Sequence, residues 1–219
     1  MRTLVLASAS PRRRTLVALL GVPWVADAAN VTEEVDGDAP SASALAAMLA
    51  ERKARAVALR RPSGLVLGAD TVVAVDGESL GKPLDASEAR RMLSLLRGRS
   101  HEVVTGVALA DPASGTLSVA CRETTVTMRD YGDGEVEAYV ASGAAMDKAG
   151  AYGVQDAAFS PASHVRGCYA NVIGLPLCTV AGMLAEHGVA VSEPAQWRPS
   201  ADSEPCVGCR ALSVGGATT

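Results

Sequence analysis

The stretch Leu4-Val5-Leu6-Ala7-Ser8-Ala9-Ser10-Pro11-Arg12-Arg13-Arg14 passes directly from an apolar run to a helix start. Leu4 to Ala7 reads as a short buried strand. Ser10 suits the N-cap, and Pro11 suits the first helical position, where a backbone N–H would have no partner anyway. Leu16, Leu19 and Leu20 give the helix its apolar stripe, and Gly21 is placed to end it. A strand feeding a helix predicts an α/β protein. The rest of the chain keeps the alternation, with Val-rich runs taking turns with Ala/Leu-rich runs.

Working outward, Trp24 to Ala29 reads as a second strand and Ser41 to about Arg60 as a long helix with Leu45, Met48, Leu49 and Val57 among its buried positions. Leu65 to Val75 predicts a strand turned at Asp76-Gly77, a strong hairpin signal. Asp85, with Glu88 three residues on, predicts a capping box opening a helix whose inner face is Met92, Leu93 and Leu96. Strands are expected over His101–Ala110 and Leu117–Met128, joined by a turn through Asp111–Gly115, then a short helix near Gly134–Ala141. The uncharged run Gly167–Ala185 is nearly long enough to span a bilayer, but Asn171, Gly174, Pro176 and Gly182 interrupt it. It reads as core, a last strand followed by a last helix. Residues 1–193 are expected to form the folded unit, and 194–219, rich in Pro, Ser and Gly, a disordered tail.

The 219 residues suit one domain or two closely joined lobes, and 48% hydrophobic content is enough for a core without disulfides. Only 3% is aromatic, so Val, Leu and Ala must fill that core. A net charge of −4 argues against a nucleic-acid polymer as partner, since duplex binding leans on a basic face. Yet Arg2, Arg12, Arg13 and Arg14 crowd the N-terminus, which suits a compact anionic ligand. Five cysteines without a dense framework, and no signal peptide, point to a soluble protein of the reducing cytoplasm.

Four segments could carry chemistry. Ser8, Ser10, Arg12 and Arg13 stand at a helix N-terminus, where unpaired N–H groups bind phosphate and guanidiniums add directional donors. The same residues would equally describe an ordinary capped helix with solvent-facing arginines. Asp70, in Gly68-Ala69-Asp70-Thr71, is a carboxylate inside an apolar strand. It could hold a divalent metal or accept a proton from water, or simply cap a turn at a bulge. Lys82, in Gly81-Lys82-Pro83, is either a directed or a merely solvated cation. Lys53 falls on the apolar side of the long helix, where a lysine is unexpected unless it reaches a site. Glu33 and Glu34 are possible metal carboxylates in a loop. Gln155 closes Asp147-Lys-Ala-Gly-Ala-Tyr-Gly-Val-Gln155 and could read a base edge through its amide. Taken together these form a phosphoryl-transfer set.

The chain resembles the Maf family of nucleotide pyrophosphatases, septum-formation-inhibitor-like proteins. The resemblance rests on Leu-Ala-Ser-Ala-Ser-Pro-Arg-Arg from Leu6, Glu-Arg-Lys-Ala from Glu51, Gly-Ala-Asp-Thr-Val-Val from Gly68, Gly-Lys-Pro at Gly81, Asp-Lys-Ala-Gly-Ala-Tyr-Gly from Asp147 and Gly-Leu-Pro at Gly174. It implies a two-lobed, Maf/ITPase-like α/β fold with a central mixed, bent sheet, helices flanking it and a cleft between the lobes. It also implies a homodimer and hydrolysis at the α-phosphate of a nucleoside triphosphate with Mg²⁺ or Mn²⁺. By that resemblance Asp70 is the proton acceptor, Ser8, Arg13, Lys53 and Lys82 hold phosphate, and Glu33, Glu34 and Asp70 serve the metal; the helix-start reading adds Ser10 to the phosphate group. Arg12, Thr71 and Gln155 match members acting on dTTP and UTP, with modified pyrimidine nucleotides also expected. The rival readings are the same chemistry on 7-methyl-GTP, ITP or XTP, and a non-enzymatic nucleotide-binding regulator of cell division. Asp156 and Phe159-Ser160-Pro161 depart from the family's pattern beside Gln155. Cys206 and Cys209 make half a zinc site at most, and an incidental tail pair is the expectation.

Overall fold

A computed structural model describes residues 2–33 and 41–191. The expected tail, Glu34 and Cys206/Cys209 lie outside the described residues. Strand β1 (Leu4–Leu6) leads into helix α1 (Pro11–Ala18), with Ser10 as N-cap accepting from Arg13 N and Pro11 in the first turn. There follow β2 (Trp24–Ala26), α2 (Ala42–Ala58), β3 (Leu65–Val75), β4 (Glu78–Leu80), α3 (Ala86–Leu96), β5 (Ser100–Asp111) and β6 (Thr116–Met128). The C-terminal elements are α4 (Asp133–Ala141), a 3₁₀ turn over Ala149–Ala151, β7 (Ala162–Arg166), α5 (Tyr169–Ile173) and α6 (Leu177–Glu186).

The strands form one mixed sheet in the order β2-β1-β3-β5-β6-β7, with β4 hydrogen-bonded to β3. β1 runs parallel to β2 and β3; the remaining pairs are antiparallel. The α/β class with a mixed sheet flanked by helices is therefore as expected. Asp76 and Gly77 both take positive φ (51° and 82°), the backbone of the tight turn that folds β4 back onto β3.

Helix α2 covers one face of β3 and β5, and two glycines let it come unusually close. A Cβ on Gly68 would stand 2.2 Å from Ala50 O, and one on Gly106 2.3 Å from Ala46 O. The stripe that meets the sheet is thus Ala46, Ala50 and Ala54, at i, i+4 and i+8. The expectation that Leu45 and Met48 would be buried is corrected: both are only partly buried, because the alanine stripe takes the line of closest approach, while Leu49 and Val57 are buried as expected.

The opposite face carries two cores. One joins Leu65, Leu67, Ala69, Val107 and Leu109 to α1 and α6. The other joins Val73, Val75 and Val103 to α3, α4 and the loop through Tyr152 and Phe159. β3 and β5 pass through both, and Thr71 and Thr105, cross-strand partners, stand at the changeover.

Two further expectations are corrected. The uncharged run supplies two helices, α5 and α6, rather than a strand and a helix, and the extra strand β7 lies just before it. Arg2 does not join the other N-terminal arginines; it pairs with buried Asp111, whose carboxyl it holds far below the usual range against the cost of burial. The departures beside Gln155 have structural work: Asp156 accepts from the backbone N–H groups of Ala158 and Phe159, and Phe159 stacks on Tyr139 at 4.2 Å between centroids.

His101 is buried on β5, with Nε2 2.6 Å from the Tyr152 hydroxyl and Nδ1 without a partner. Burial disfavours its cation and lowers its pKa from 6.5 to about 4. The unfolded chain therefore binds a proton that the fold refuses. Its share of stability is complete above pH 6.5 and is lost as pH falls towards 4, by about 3 kcal/mol. Urea titrations at pH 7 and pH 4 should show this share in the wild type and its absence in His101→Gln; equal pH dependence in the two proteins would exclude it.

Candidate active site

A cleft of about 490 Å³ is lined by β3, by the turn into α1, by the loop around Asp147–Gln155 and by Leu45, Leu49 and Lys53 of α2. Its walls include Ser8, Ser10, Arg12, Arg13, Glu33, Lys53, Asp70, Thr71, Lys82 and Gln155. Every candidate from the sequence that falls within the described residues therefore lines one cleft; Glu34 is outside them.

Strand alternation explains how β3 serves two clusters. Asp70 follows Gly68 on the α2 side, where the short helix-to-sheet distance lets Lys53 reach it. Lys53 Nζ donates to Asp70 Oδ1 and, at 2.6 Å, to Glu33 Oε1. Lys53 and Asp70 are 7% and 8% exposed, so their charges are shielded and the pair is strongly directional. Burial pushes Glu33 up, but the hydrogen bond and charge of Lys53, with the charges of Lys82 and Arg13, outweigh it and leave its carboxyl below the ordinary value.

Thr71 points the other way, towards α1. Arg13 donates from Nη2 to Thr71 Oγ1 (3.1 Å), from Nη1 to Ser8 Oγ (3.4 Å) and from Nε to Gly174 O (2.9 Å). Burial pulls the Arg13 guanidinium below its ordinary pKa, opposed by the charge of Asp70. Ser8 Oγ also accepts from Ser10 N (3.2 Å), so its own proton is left to face the cleft. Gly174, just past α5, has φ 120°, a conformation that favours glycine, and its carbonyl is aimed at Arg13.

Arg12 turns to the far wall, donating to Asp147 Oδ2 (2.7 Å) and Asp147 O (3.1 Å). Lys148 Nζ takes the other oxygen of that carboxylate. Burial acts to raise Asp147, and the Lys148 and Arg12 hydrogen bonds outweigh it to lower the pKa. Lys82 and Gln155 complete the rim.

The arrangement has two ends: a buried carboxylate–ammonium pair with a second carboxylate, and a cluster of guanidinium, hydroxyl and helix-start groups suited to anionic oxygens. Among the described residues no group of three or more His, Cys, Asp or Glu side chains could hold a metal by itself. Reading the sequence alone missed Asp147 as the partner of Arg12, the Gly174 carbonyl, and Thr105 and Asn171 behind Thr71. The segments of Asp147 and Gly174 stand out in the sequence, but their partners do not, because each contact joins residues far apart in the chain. No helix is long and apolar enough to cross a membrane among the described residues.

A family model described as "Maf-like protein" matches residues 3–187. A protein of Thermomicrobium roseum described as dTTP/UTP pyrophosphatase is 48% identical over 193 residues, 88% of this chain and 87% of that protein. Proteins of the same description from Moorella thermoacetica and Symbiobacterium thermophilum are 47% and 46% identical, over 87% of this chain and 98% and 97% of theirs.

Proposed function

The chain belongs to the Maf family, and on that premise we propose that it hydrolyses dTTP and UTP, with modified pyrimidine nucleotides, to the monophosphate and pyrophosphate. The observation that carries this reading is the shared cleft: an acid–base carboxylate and an anion-binding helix start face the same space. It is an enzyme of the nucleoside triphosphate diphosphatase type.

In this mechanism the triphosphate lies along the Ser8–Arg13 turn. Backbone N–H groups of α1, the hydroxyls of Ser8 and Ser10, and the cations Arg13, Lys53 and Lys82 bind its oxygens. Asp70 takes the proton from a water as that water's oxygen bonds to the α-phosphorus. The bond to the bridging oxygen breaks, and pyrophosphate leaves. Lys53 orients Asp70 through Oδ1 and leaves Oδ2 for the water. Arg12, Thr71 and Gln155 meet the nucleoside end.

A divalent cation fits this donor set. Glu33 and Asp70 bring hard carboxylate oxygens to one point, held together by Lys53. Magnesium is commonly bound by one or two carboxylates completed by substrate phosphates and water. Glu33, Asp70 and Glu34 would hold Mg²⁺ or Mn²⁺, which when bound supplies neutralising charge to the triphosphate. The protein acts as a homodimer in the cytoplasm, with no nucleic-acid polymer as partner.

The test is a panel of dTTP, UTP, CTP, GTP, 7-methyl-GTP, ITP and XTP with Mg²⁺, reading pyrophosphate release. dTTP and UTP should lead. Preference for a purine would leave the chemistry standing and overturn the base assignment; binding without cleavage would favour a regulatory role.

A further inference from the structure

Thr105 is fully buried, does not line the cleft, and still has its hydroxyl one bond away from the nucleotide site. Its Oγ1 donates to Asn171 O at 2.9 Å and lies 2.9 Å from Thr71 Oγ1. A carbonyl can only accept, so the single proton of Thr105 is committed to Asn171. The contact between the two threonines must then be made by the proton of Thr71. Arg13 can only donate, so Thr71 accepts from Nη2 on its other side. Each proton in the series Arg13 to Thr71 to Thr105 to Asn171 thus has one possible direction.

The far end is anchored. Asn171, fully buried, donates from Nδ2 to Val103 O at 2.9 Å and to Thr124 Oγ1 at 3.0 Å, tying α5 to β5 and β6. The same turn of chain supplies the Gly174 carbonyl that receives Arg13 Nε. Thr71, at the near end, lines the cleft.

We propose that Thr105 is a positioning residue for the nucleotide site, because its bond to the Asn171 carbonyl forces Thr71 to present the cleft with an acceptor lone pair and no proton. This rests on the nucleotide reading for its consequence: the ligand group meeting Thr71 must bring an N–H or O–H. The imide N–H of uracil and thymine satisfies that, whereas the corresponding ring nitrogen of cytosine is an acceptor and is turned away. Thr105 acts through Thr71 and touches no substrate.

The decisive comparison is Thr105→Val, which keeps the shape and removes the hydroxyl, against Thr105→Ser, which restores it. In Thr105→Val the Thr71 hydroxyl proton should lose its slow exchange in NMR spectra. kcat/KM for UTP should fall roughly tenfold, the scale of one hydrogen bond, and the CTP-to-UTP ratio should rise. Thr105→Ser should return all three towards wild type. A Thr105→Val protein with a still-protected Thr71 proton and an unchanged base ratio, altered only in melting temperature, would reduce Thr105 to a packing residue and overturn the proposal. If the wild type cleaves no nucleotide, the functional reading fails by itself, and the hydroxyl exchange alone decides whether Thr105 directs Thr71.

Discussion

Asp70→Asn is expected to lower pyrophosphate release from dTTP and UTP by roughly a thousandfold, in the middle of the range for loss of a general base. Asparagine has the same shape and can still accept the Lys53 hydrogen bond through its amide oxygen, while Lys53 keeps Glu33 as its ionic partner. The fold and the cleft should therefore survive, with a melting temperature near that of the wild type. What is lost is the group able to take a proton. Nucleotide affinity, read by calorimetry under non-turnover conditions, should change far less than kcat, because Ser8, Arg13 and Lys82 are untouched. Near wild-type turnover in Asp70→Asn would place the base elsewhere, and Glu33 would be the next candidate.

Gly68→Ala is expected to show the second large effect, this time on both stability and rate. The added methyl would meet Ala50 O at 2.2 Å and Ala54 N at 2.7 Å, both backbone atoms that cannot rotate away. Helix α2 must lift from the sheet, and overpacking of this kind costs about 3 kcal/mol or more. Lys53 sits between those two alanines, so lifting the helix withdraws its ammonium from Asp70. A displacement of about 1 Å at such a point can cost roughly a hundredfold in rate. Chemical denaturation and steady-state kinetics read the two effects separately. Gly182→Ala is the contrast: nothing lies within 4 Å of its added methyl, and it falls inside α6. There the better helix former should raise stability by up to about 1 kcal/mol. Equal behaviour of the two variants would mean that helix-to-sheet distance does not set the site.

Much of the fold was legible where local chemistry decides. Ser10-Pro11, Asp85 with its bond from Glu88 N, and Asp76-Gly77 mark boundaries that the structure keeps, because caps and tight turns are short-range requirements. The uncharged run read wrongly as a strand followed by a helix because, without charges, it has no polar face to reveal its period, and α5 within it is only five residues long. β7 escaped notice for the opposite reason: Ala162–Arg166 is mostly exposed at the sheet edge, with only Val165 buried. The alanine stripe of α2 was also hidden, since which side of a helix lies closest depends on glycines in strands far along the chain. At the site, residue types in sequence were enough to collect Ser8, Arg13, Lys53, Asp70 and Lys82 as candidates. Their division between two sides of β3, and the support behind Thr71, arise only when β3, β5 and α5 pack together.

The passage of β3 and β5 through both cores has a consequence for how the molecule comes apart. Leu65 and Leu67 belong to one core and Val73 and Val75 to the other, yet they share one strand, and Leu109 and Val103 do the same on its neighbour. Neither core can melt without stripping the ladder that the other depends on. The two halves are thus parts of one cooperative unit, and no cut in the chain would yield two independent folding pieces. The cleft lies along the seam of that unit. It can stay polar, because it is where the filling of one core has ended and that of the other has not begun.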